Sequence, residues 1–295
     1  MRSSGVIKFK PEKGSEYMDS NVKSNQAAAR LMKVLGLKNS PMAIKLAKSE
    51  NEIPTEAIRP MRDMGVHYAE CQCLALARNT GNTYALTLED HWCWFPLICY
   101  GFVDVCKGNR DYEIVMNNLG IPCREKQEAF FEKFPRLPYK SVYAYVAAPA
   151  INAHFEPDLY LVYCDDTQQL REMAGAIKYM TGDALHTTLD YVDSCGWDIV
   201  PSYVTREFRV TIPDPGEIER AEIGRNEIIL TIPCEKFIEL CAVTEDKHKK
   251  KEARPGCNCG LVSDFPRPEF IVNLYKEWGL QSDGPISWTE EQRGY

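Results

Sequence analysis

The spacing of hydrophobic and polar residues changes several times along the chain, which predicts helices and strands in alternation. Apolar residues three and four positions apart predict an amphipathic helix that starts at Ser24 and ends at Gly36. The apolar run 41–47 predicts a buried first strand. Further helices are predicted over about 68–79, 89–105, 125–134, 167–180, 233–243 and 269–278, and further strands over 83–88, 142–148, 159–164, 185–191, 208–212 and 228–232.

This interleaving predicts an α+β (mixed α/β) fold with mixed sheets. A chain of 295 residues has ample apolar material for one globular unit. Residues 1–22 are predicted to form an N-terminal arm, and 23–245 a Cys-rich domain. In the C-terminal segment 246–295, a loop that carries Cys257 and Cys259 and a final helix are predicted to pack on that domain.

A weak internal echo suggests that the unit contains two similar halves. Each half reads as strand, helix, strand and then a cysteine, over 42–47, 68–79, 84–88 and Cys93 in the first half and 159–164, 167–180, 185–190 and Cys195 in the second. Related by a pseudo-twofold axis, such halves would place Cys93 and Cys195 at equivalent positions. Chance similarity is the alternative.

Charge and composition exclude some classes of function. A net charge of −7 argues against nucleic acid as a partner, because nucleic-acid binders need a basic surface. The basic run 247–251 is flanked by acidic residues and predicts a solvated loop. The sequence contains no window of eighteen apolar residues, so no membrane span is predicted. Residues Met1–Gly14 have no apolar core of signal-peptide type. We therefore expect a cytoplasmic protein with reduced thiols.

The stretch 67–106 is the main candidate for chemistry, since it holds five of the twelve cysteines and two of the five histidines. A soft metal centre needs three or four thiolates, or thiolates with imidazole. The predicted metal ligands are Cys71, Cys73, Cys93 and Cys195. The spacing matches neither a zinc ribbon nor a ferredoxin, so buried structural thiols are the open alternative, and a thiol of the C-terminal loop is an alternative fourth ligand.

The remaining candidates surround that centre. Trp92 and Trp94 are predicted to line a binding pocket. The motif Pro213-Asp-Pro-Gly-Glu-Ile-Glu-Arg220 predicts either a well-capped turn or a site where Arg220 binds an anionic ligand. The cysteine pairs with seven-residue spacing are predicted to be core packing: Cys99 with Cys106, and Cys234 with Cys241.

These motifs resemble the archaeal Cys-rich (ArCR) family of anaerobic archaea and bacteria, over about residues 25–245. The resemblance rests on several segments: 40–46, Cys71 with the following Leu-Ala-Leu-Ala-Arg and Gly81, 86–93, Tyr100-Gly101, 194–196, 213–220, 226–230 and Pro233. The family has no established activity, so the resemblance implies little about function. It implies shared thiols at Cys71, Cys93 and Cys195, and its anaerobic setting favours iron as the metal.

Three functions remain open on these residues, and whether the chain is an enzyme is open as well. One is an Fe–S protein, with a [4Fe–4S] cluster, that performs redox or Lewis-acid chemistry in anaerobic metabolism on a small-molecule substrate or with a redox partner protein. A second is a zinc-dependent or other metal-dependent hydrolase in which His67 or His91 joins the thiolates. The third is a non-catalytic small-molecule-binding accessory protein. A homo-oligomer is compatible with each of them.

Overall fold

The computed structural model describes residues 13–252, 261, 263, 265–280 and 284–293. Strands and helices alternate through these residues. The strands are β1 (Met42–Ala47), β2 (Tyr84–Thr87), β3 (Ala144–Pro149), β4 (Leu159–Cys164), β5 (Arg209–Thr211) and β6 (Ile228–Pro233). The helices are α1 (Lys13–Leu35), α2 (Glu70–Thr80), α3 (Trp94–Cys99), α4 (Arg110–Asn118), α5 (Arg124–Lys133), α6 (Thr167–Thr181), α7 (Ser194–Thr205), α8 (Pro215–Arg220), α9 (Cys234–Glu252) and α10 (Glu269–Glu277).

The six strands form one sheet in the order β2-β3-β1-β4-β6-β5, and every neighbouring pair is antiparallel. The predicted α+β class is confirmed, whereas the prediction of mixed sheets is wrong. Helices cover both faces of this sheet, so its strands are apolar runs of the kind usually found in parallel sheets. Strand direction therefore cannot be read from the hydrophobic pattern.

Strand β1 illustrates how the two faces are buried, because successive side chains point to opposite sides. Met42 and Ile44 pack in one apolar cluster with residues of α2, α3, α4, α5 and α7. Ala43 and Ala47 pack in a second cluster with residues of α1, α6 and α9. The sheet thus lies between two layers of helices.

With α4, α5 and α6 left out, the structure contains two halves with the same order of elements: β1-α2-β2-α3-β3 and β4-α7-β5-α8-β6. In each half the first strand is central, the last pairs with it, and the second lies at the edge. Helix α2 packs on β2 and β3, and α7 packs on β5 and β6. Across the boundary α2 contacts α8, and α3 contacts α7. These matching contacts describe a pseudo-twofold relation between β1 and β4.

The predicted equivalences within that relation are wrong, however. Helix α6 packs with α1 and α9 on the opposite face of the sheet, so the counterpart of α2 is α7. The strand predicted over 185–191 is not formed, and only Thr187 makes an isolated bridge. The pseudo-twofold relation therefore pairs Cys71 with Cys195, each the second residue of its helix. Cys93 pairs with Asp214, each the N-cap of its helix.

Several element boundaries also differ from the predictions. Helix α1 begins at Lys13, so part of the arm predicted over 1–22 is helical. The basic run 247–251 belongs to α9 and is not a loop. The helix predicted over 89–105 is reduced to α3, because Asp90 closes a turn before it by accepting hydrogen bonds from Thr87 N at 2.8 Å and Arg59 Nε at 3.1 Å. Helices α4 and α7 were not predicted.

Of the four cysteines assigned to core packing, three pack in or against the apolar clusters and one does not. Cys99 and Cys241 are buried in the two apolar clusters, as predicted. Cys106 is exposed, because the apolar segment ends with α3. Cys234 is half-buried at the start of α9, where its Sγ accepts a hydrogen bond from Arg206 Nη2 at 3.3 Å. Cys257 and Cys259 lie outside the described residues. None of the helices in the described part of the chain is long and apolar enough to cross a membrane.

Candidate functional site

A cavity of about 270 Å³ lies where the starts of α2, α3, α7 and α8 meet. Its lining includes six of the seven site residues predicted from the sequence: Cys71, Trp92, Cys93, Trp94, Cys195 and Arg220. The seventh, Cys73, is absent from the lining and is fully buried in the apolar core. This follows from helical geometry, since residues two apart on a helix point about 200° away from each other.

Each of the three cavity thiols sits at the start of a helix. Cys71 and Cys195 are the second residues of α2 and α7, and Cys93 is the N-cap of α3. The first turn of a helix carries a positive partial charge, which favours anions, including thiolates. The fold therefore brings three thiols from three distant segments to one place in a favourable backbone setting.

Burial opposes that effect. It raises the pKa of the Cys71, Cys93 and Cys195 thiols, and the negative charge of Glu70 adds to the increase for all three. The positive charge of Arg220 acts in the opposite direction on Cys71 and Cys93. The net shift is upward, so the three groups are held as neutral thiols near pH 7.

Four carboxyl groups share the cavity, and none of them was predicted as a site residue. Two of them hold the helix starts together. Asp214 accepts hydrogen bonds from Glu217 N at 2.8 Å and Asp193 N at 3.0 Å, while Glu217 accepts one from Tyr163 Oη at 3.2 Å and another from Ser194 Oγ. The signal available in the sequence was the capping pattern Asp-Pro-Gly-Glu, which predicts that these two acids face each other.

The other two carboxyl groups, those of Glu70 and Asp193, each keep one free oxygen. Glu70 Oε2 and Asp193 Oδ2 are buried without a hydrogen-bond partner within the described residues. Asp193 is also the N-cap of α7 and has a φ of 70°, a left-handed conformation that few residues other than glycine adopt. That backbone conformation fixes the position of Asp193 in the cavity lining. It is the kind of strained backbone found at binding sites.

The acids of this region exchange protons close to neutral pH. Burial raises the pKa of Glu70 to about 8, and the nearby hydroxyl groups of Tyr100 and Tyr145 oppose the shift. Burial likewise raises the pKa of Glu217 to about 7 and that of Asp193 to about 8. Perturbed acids that cluster at a cavity are a physical indication of a functional site.

Arg220 lines the same cavity and is its one cationic side chain. The guanidinium lies directly above Gly216, where a Cβ atom would collide with Nη2. Within the described part of the chain, Arg220 makes no hydrogen bond or ion pair. A free guanidinium at the edge of a polar cavity is suited to binding an anionic group.

Aromatic side chains form the remaining wall. Trp94 lies against Phe95 with ring centroids 4.0 Å apart and the ring planes tilted by 31°, and Trp92 is 65% exposed at the rim. The two candidate histidines lie elsewhere: neither His67 nor His91 belongs to the lining. His91 packs against Phe102 instead, and burial lowers its pKa to about 4.

A metal centre requires ligands that converge on one point. The described residues contain no group of three or more His, Cys, Asp or Glu side chains that could hold a metal ion. The cavity thus places Cys71, Cys93 and Cys195 in one lining without arranging them around a single ion. Their assignment as metal ligands stays a prediction, as does that of Cys73.

Comparison with known proteins gives a family. The family model described as uncharacterised ArCR matches residues 30–243. An uncharacterized protein of Methanocaldococcus jannaschii is 24% identical over 230 residues, which cover 77% of this chain and 96% of the relative. No solved structure matches. Since the family model spans well over half of the sequence, the chain belongs to the uncharacterised ArCR family.

Proposed function

We propose that the chain binds a small polar molecule in the cavity and exchanges protons with it. One observation carries this proposal: four helix starts from both halves bring three thiols, four carboxyl groups and one free guanidinium to a single cavity. Its volume of about 270 Å³ is close to the lower end of the roughly 300–1,000 Å³ typical of ligand pockets. The occupant is therefore small.

The proposed chemistry follows from the titration of the lining. An acid with a pKa near the working pH can donate and accept protons with little penalty, which suits Glu70 and Glu217 to general acid–base catalysis. Cys71 lies next to Glu70 in the chain, and a thiol that loses its proton becomes a nucleophile. A carboxyl group that holds or releases that proton would control the reactivity of the thiol.

Binding is tested most directly with small molecules and a variant whose cavity is filled. A fragment library is screened by ligand-observed NMR against the full chain, Val192→Trp and Val204→Trp. Val192 lines the cavity, whereas Val204 is 62% exposed in the last turn of α7. We expect fragments that bind the full chain and Val204→Trp to lose binding in Val192→Trp. Fragments that bind all three proteins equally would contradict the proposal, and so would the absence of any binder.

A thiol-ligated metal centre is the second candidate, and the shared lining of Cys71, Cys93 and Cys195 favours it. An Fe–S cluster would supply redox or Lewis-acid chemistry, and zinc would supply Lewis-acid chemistry alone. Cys99 is a further candidate for the fourth ligand. Its Sγ lies against Gly196, where a Cβ atom would be 2.6 Å away, and Cys195 is the preceding residue.

Metal analysis of protein purified without oxygen separates the candidates. Iron with acid-labile sulfide would support a cluster, and stoichiometric zinc would support a zinc site. In either case Cys71→Ser, Cys93→Ser and Cys195→Ser should lose metal, while Cys241→Ser, in the opposite layer, should retain it. Protein free of metal in every preparation would remove the second candidate and leave the first unaffected.

The cellular setting is part of the proposal. A cytoplasmic location suits a chain with many thiols, because the cytoplasm keeps thiols reduced. The acidic net charge suits a small molecule or a protein as partner better than nucleic acid. Cell fractionation followed by detection of the chain tests the location.

A further inference from the structure

The cavity contains an unpaired guanidinium and two acids with unpaired oxygens. Arg220 has no hydrogen-bond or ion-pair partner among the described residues. Glu70 Oε2 and Asp193 Oδ2 lack partners there too, although both residues are only 3% exposed. The carboxyl groups of Asp214 and Glu217 are already occupied by hydrogen bonds at the helix starts. Three groups therefore remain without a partner at hydrogen-bond distance, with the hydroxyl groups of Tyr100 and Tyr145 near Glu70.

Opposite charges within so small a space usually pair with each other, because their attraction is strong where water is scarce. Buried polar atoms are also paired in most proteins. Here Arg220 forms no ion pair with Glu70 or Asp193. The guanidinium of Arg220 rests over Gly216 at the exposed side, while Glu70 and Asp193 are fixed at the buried starts of α2 and α7. The separation leaves space between them for a molecule that has both charges.

We propose that the ligand is a small zwitterion of the amino-acid class, with its carboxylate bound by Arg220 and its ammonium group bound by Glu70 and Asp193. This inference rests on the proposed function, namely that the cavity binds a small molecule. A guanidinium matches a carboxylate with two parallel hydrogen bonds, and an ammonium group close to Glu70 and Asp193 favours the ionised form of these buried acids, which then accept its hydrogen bonds. The aromatic wall of Trp94 and Phe95 is left for the apolar part of the ligand.

The test uses the proteinogenic L-α-amino acids as probes, with dissociation constants measured by isothermal titration calorimetry on the full chain. The tightest binder is then compared with its methyl ester, which lacks the carboxylate, and with its N-acetyl derivative, which lacks the ammonium group. We expect each derivative to bind at least about tenfold more weakly, since each loses charged hydrogen bonds.

Variants assign each end of the ligand to its residue. Arg220→Gln should bind the amino acid and its methyl ester equally well, and Glu70→Gln should bind the amino acid and its N-acetyl derivative equally well. Gly216→Ala should reproduce the first effect without removing the charge, because its Cβ displaces the guanidinium. Arg225→Gln and Glu219→Gln change exposed residues outside the lining and should keep both preferences.

Several results would overturn the inference. Derivatives that bind as tightly as the parent amino acid would exclude recognition of both charges, and so would simple amines or simple carboxylates that bind as tightly. If no amino acid binds while other fragments still lose binding in Val192→Trp, the zwitterion is wrong and the proposed function stands. Fragments that bind regardless of Val192→Trp would instead overturn the proposed function itself.

Discussion

The two halves of the molecule share their element order and differ in the chemistry they bring to the cavity. At the second position of the inner helix both have cysteine, Cys71 in α2 and Cys195 in α7. At the N-cap of the next helix the first half has Cys93, and the second half has Asp214. The first half also supplies the tryptophans, and the second supplies Arg220 and most of the carboxyl groups.

Because the two halves supply different groups, the cavity lies at the boundary between them and is complete in neither half alone. The common feature is geometric: each half directs two helix starts at the cavity. To this shared geometry the first half adds a second thiol and the aromatic rings, and the second half adds the guanidinium and three of the four carboxyl groups. A complete lining therefore requires the two halves to be held in fixed register.

The largest expected effect comes from breaking the link between the halves. Arg78 of α2 pairs with Glu227, just before β6, at 2.8 Å, and both side chains are less than 10% exposed. Arg78 also lies over the ring of Tyr163 at 4.4 Å. Glu227→Ala leaves the buried guanidinium without its charge partner, which should lower the free energy of unfolding by about 3–5 kcal/mol. Urea denaturation measures the loss.

Glu219→Ala is the matched control, because Glu219 is exposed on α8. It should change the free energy of unfolding by less than about 0.5 kcal/mol. A loss below about 1 kcal/mol for Glu227→Ala would mean that the buried pair contributes little to the register of the halves, since its breakage would then cost no more than that of a surface pair.

The sequence predicted the elements around the Arg78–Glu227 ion pair better than the ion pair itself. The apolar pattern predicted β1, α2, β4 and β6 closely, since the three strands are short apolar runs and α2 has a clear end signal in Gly81. It missed α7, which contains Gly196 and Pro201 and so has low helix propensity. Helix α7 forms because Ile199 and Val200 pack in the core, and tertiary packing of this kind is invisible to local pattern.

The candidate site shows the same limit. Cys71, Cys93 and Arg220 were identifiable because thiols and motifs stand out in a sequence. Glu70 was not, because an acid in the first turn of a helix is usually a solvated residue that favours the helix dipole. Its burial depends on the second half lying against α2. That information resides in the fold and not in any segment.

A second prediction concerns the fifth position of the paired helices, which is Leu74 in α2 and Asp198 in α7. Asp198 is 2% exposed, and its Oδ1 has no partner among the described residues. Burial raises its pKa well above the usual range, and the charges of Glu70 and Glu217 raise it further. The folded protein therefore keeps a proton that the unfolded chain loses.

The sign of the pH dependence follows from that proton. In the unfolded chain Asp titrates at about pH 4, so the free energy of unfolding falls as pH rises above that value, by up to about 1.4 kcal/mol per pH unit for this group. Asp198→Asn cannot ionise and should flatten this decline. Urea denaturation at several pH values measures both slopes. Asp246→Asn, an exposed control, should keep the wild-type slope, and an unchanged slope in Asp198→Asn would contradict the assignment.

The two paired helices also differ at their third residue, which is Gln72 in α2 and Gly196 in α7. A substitution there is expected to have a smaller effect on stability. A Cβ atom at Gly196 would lie 2.6 Å from Cys99 Sγ and 3.6 Å from Phe134 Cζ, both in the core. Gly196→Ala should therefore lower the free energy of unfolding by about 1–3 kcal/mol through overpacking. Thermal denaturation measures the change.

Gly175 in α6 is the control for helix propensity. The nearest atom to a Cβ there is Lys247 Cε at 3.8 Å, which is ordinary contact. Gly175→Ala should raise the free energy of unfolding by about 0.5–1 kcal/mol. If Gly196→Ala lowers the free energy of unfolding and Gly175→Ala raises it, close packing against Cys99 is the cause. If both substitutions raise it, α7 has space for a Cβ atom beside Cys99, which would contradict the prediction.

The smallest effect is expected in α6, the helix that the second half has and the first half lacks. Glu172 of α6 accepts hydrogen bonds from Lys251 and Gln168 and pairs with His248 Nδ1 at 3.1 Å, which ties α6 to α9. Burial alone would raise the pKa of Glu172, but these hydrogen bonds outweigh it and lower the pKa to about 2. The carboxylate is thus stabilised in the folded state.

The contribution of Glu172 to the free energy of unfolding depends on pH in the opposite direction to that of Asp198. Glu172 stabilises the fold above the unfolded pKa of about 4.3, and that contribution is lost as pH falls towards 2. Because Lys251 is largely exposed, solvent screening reduces the contribution to about 1–2 kcal/mol. Glu172→Gln should show this loss at pH 7 and a weaker dependence on acid, measured by urea denaturation, while Glu239→Gln on the exposed side of α9 should match wild type. Equal acid sensitivity in Glu172→Gln and wild type would show that α6 is held by its apolar face alone, and that the extra helix adds packing to the second half without adding charge.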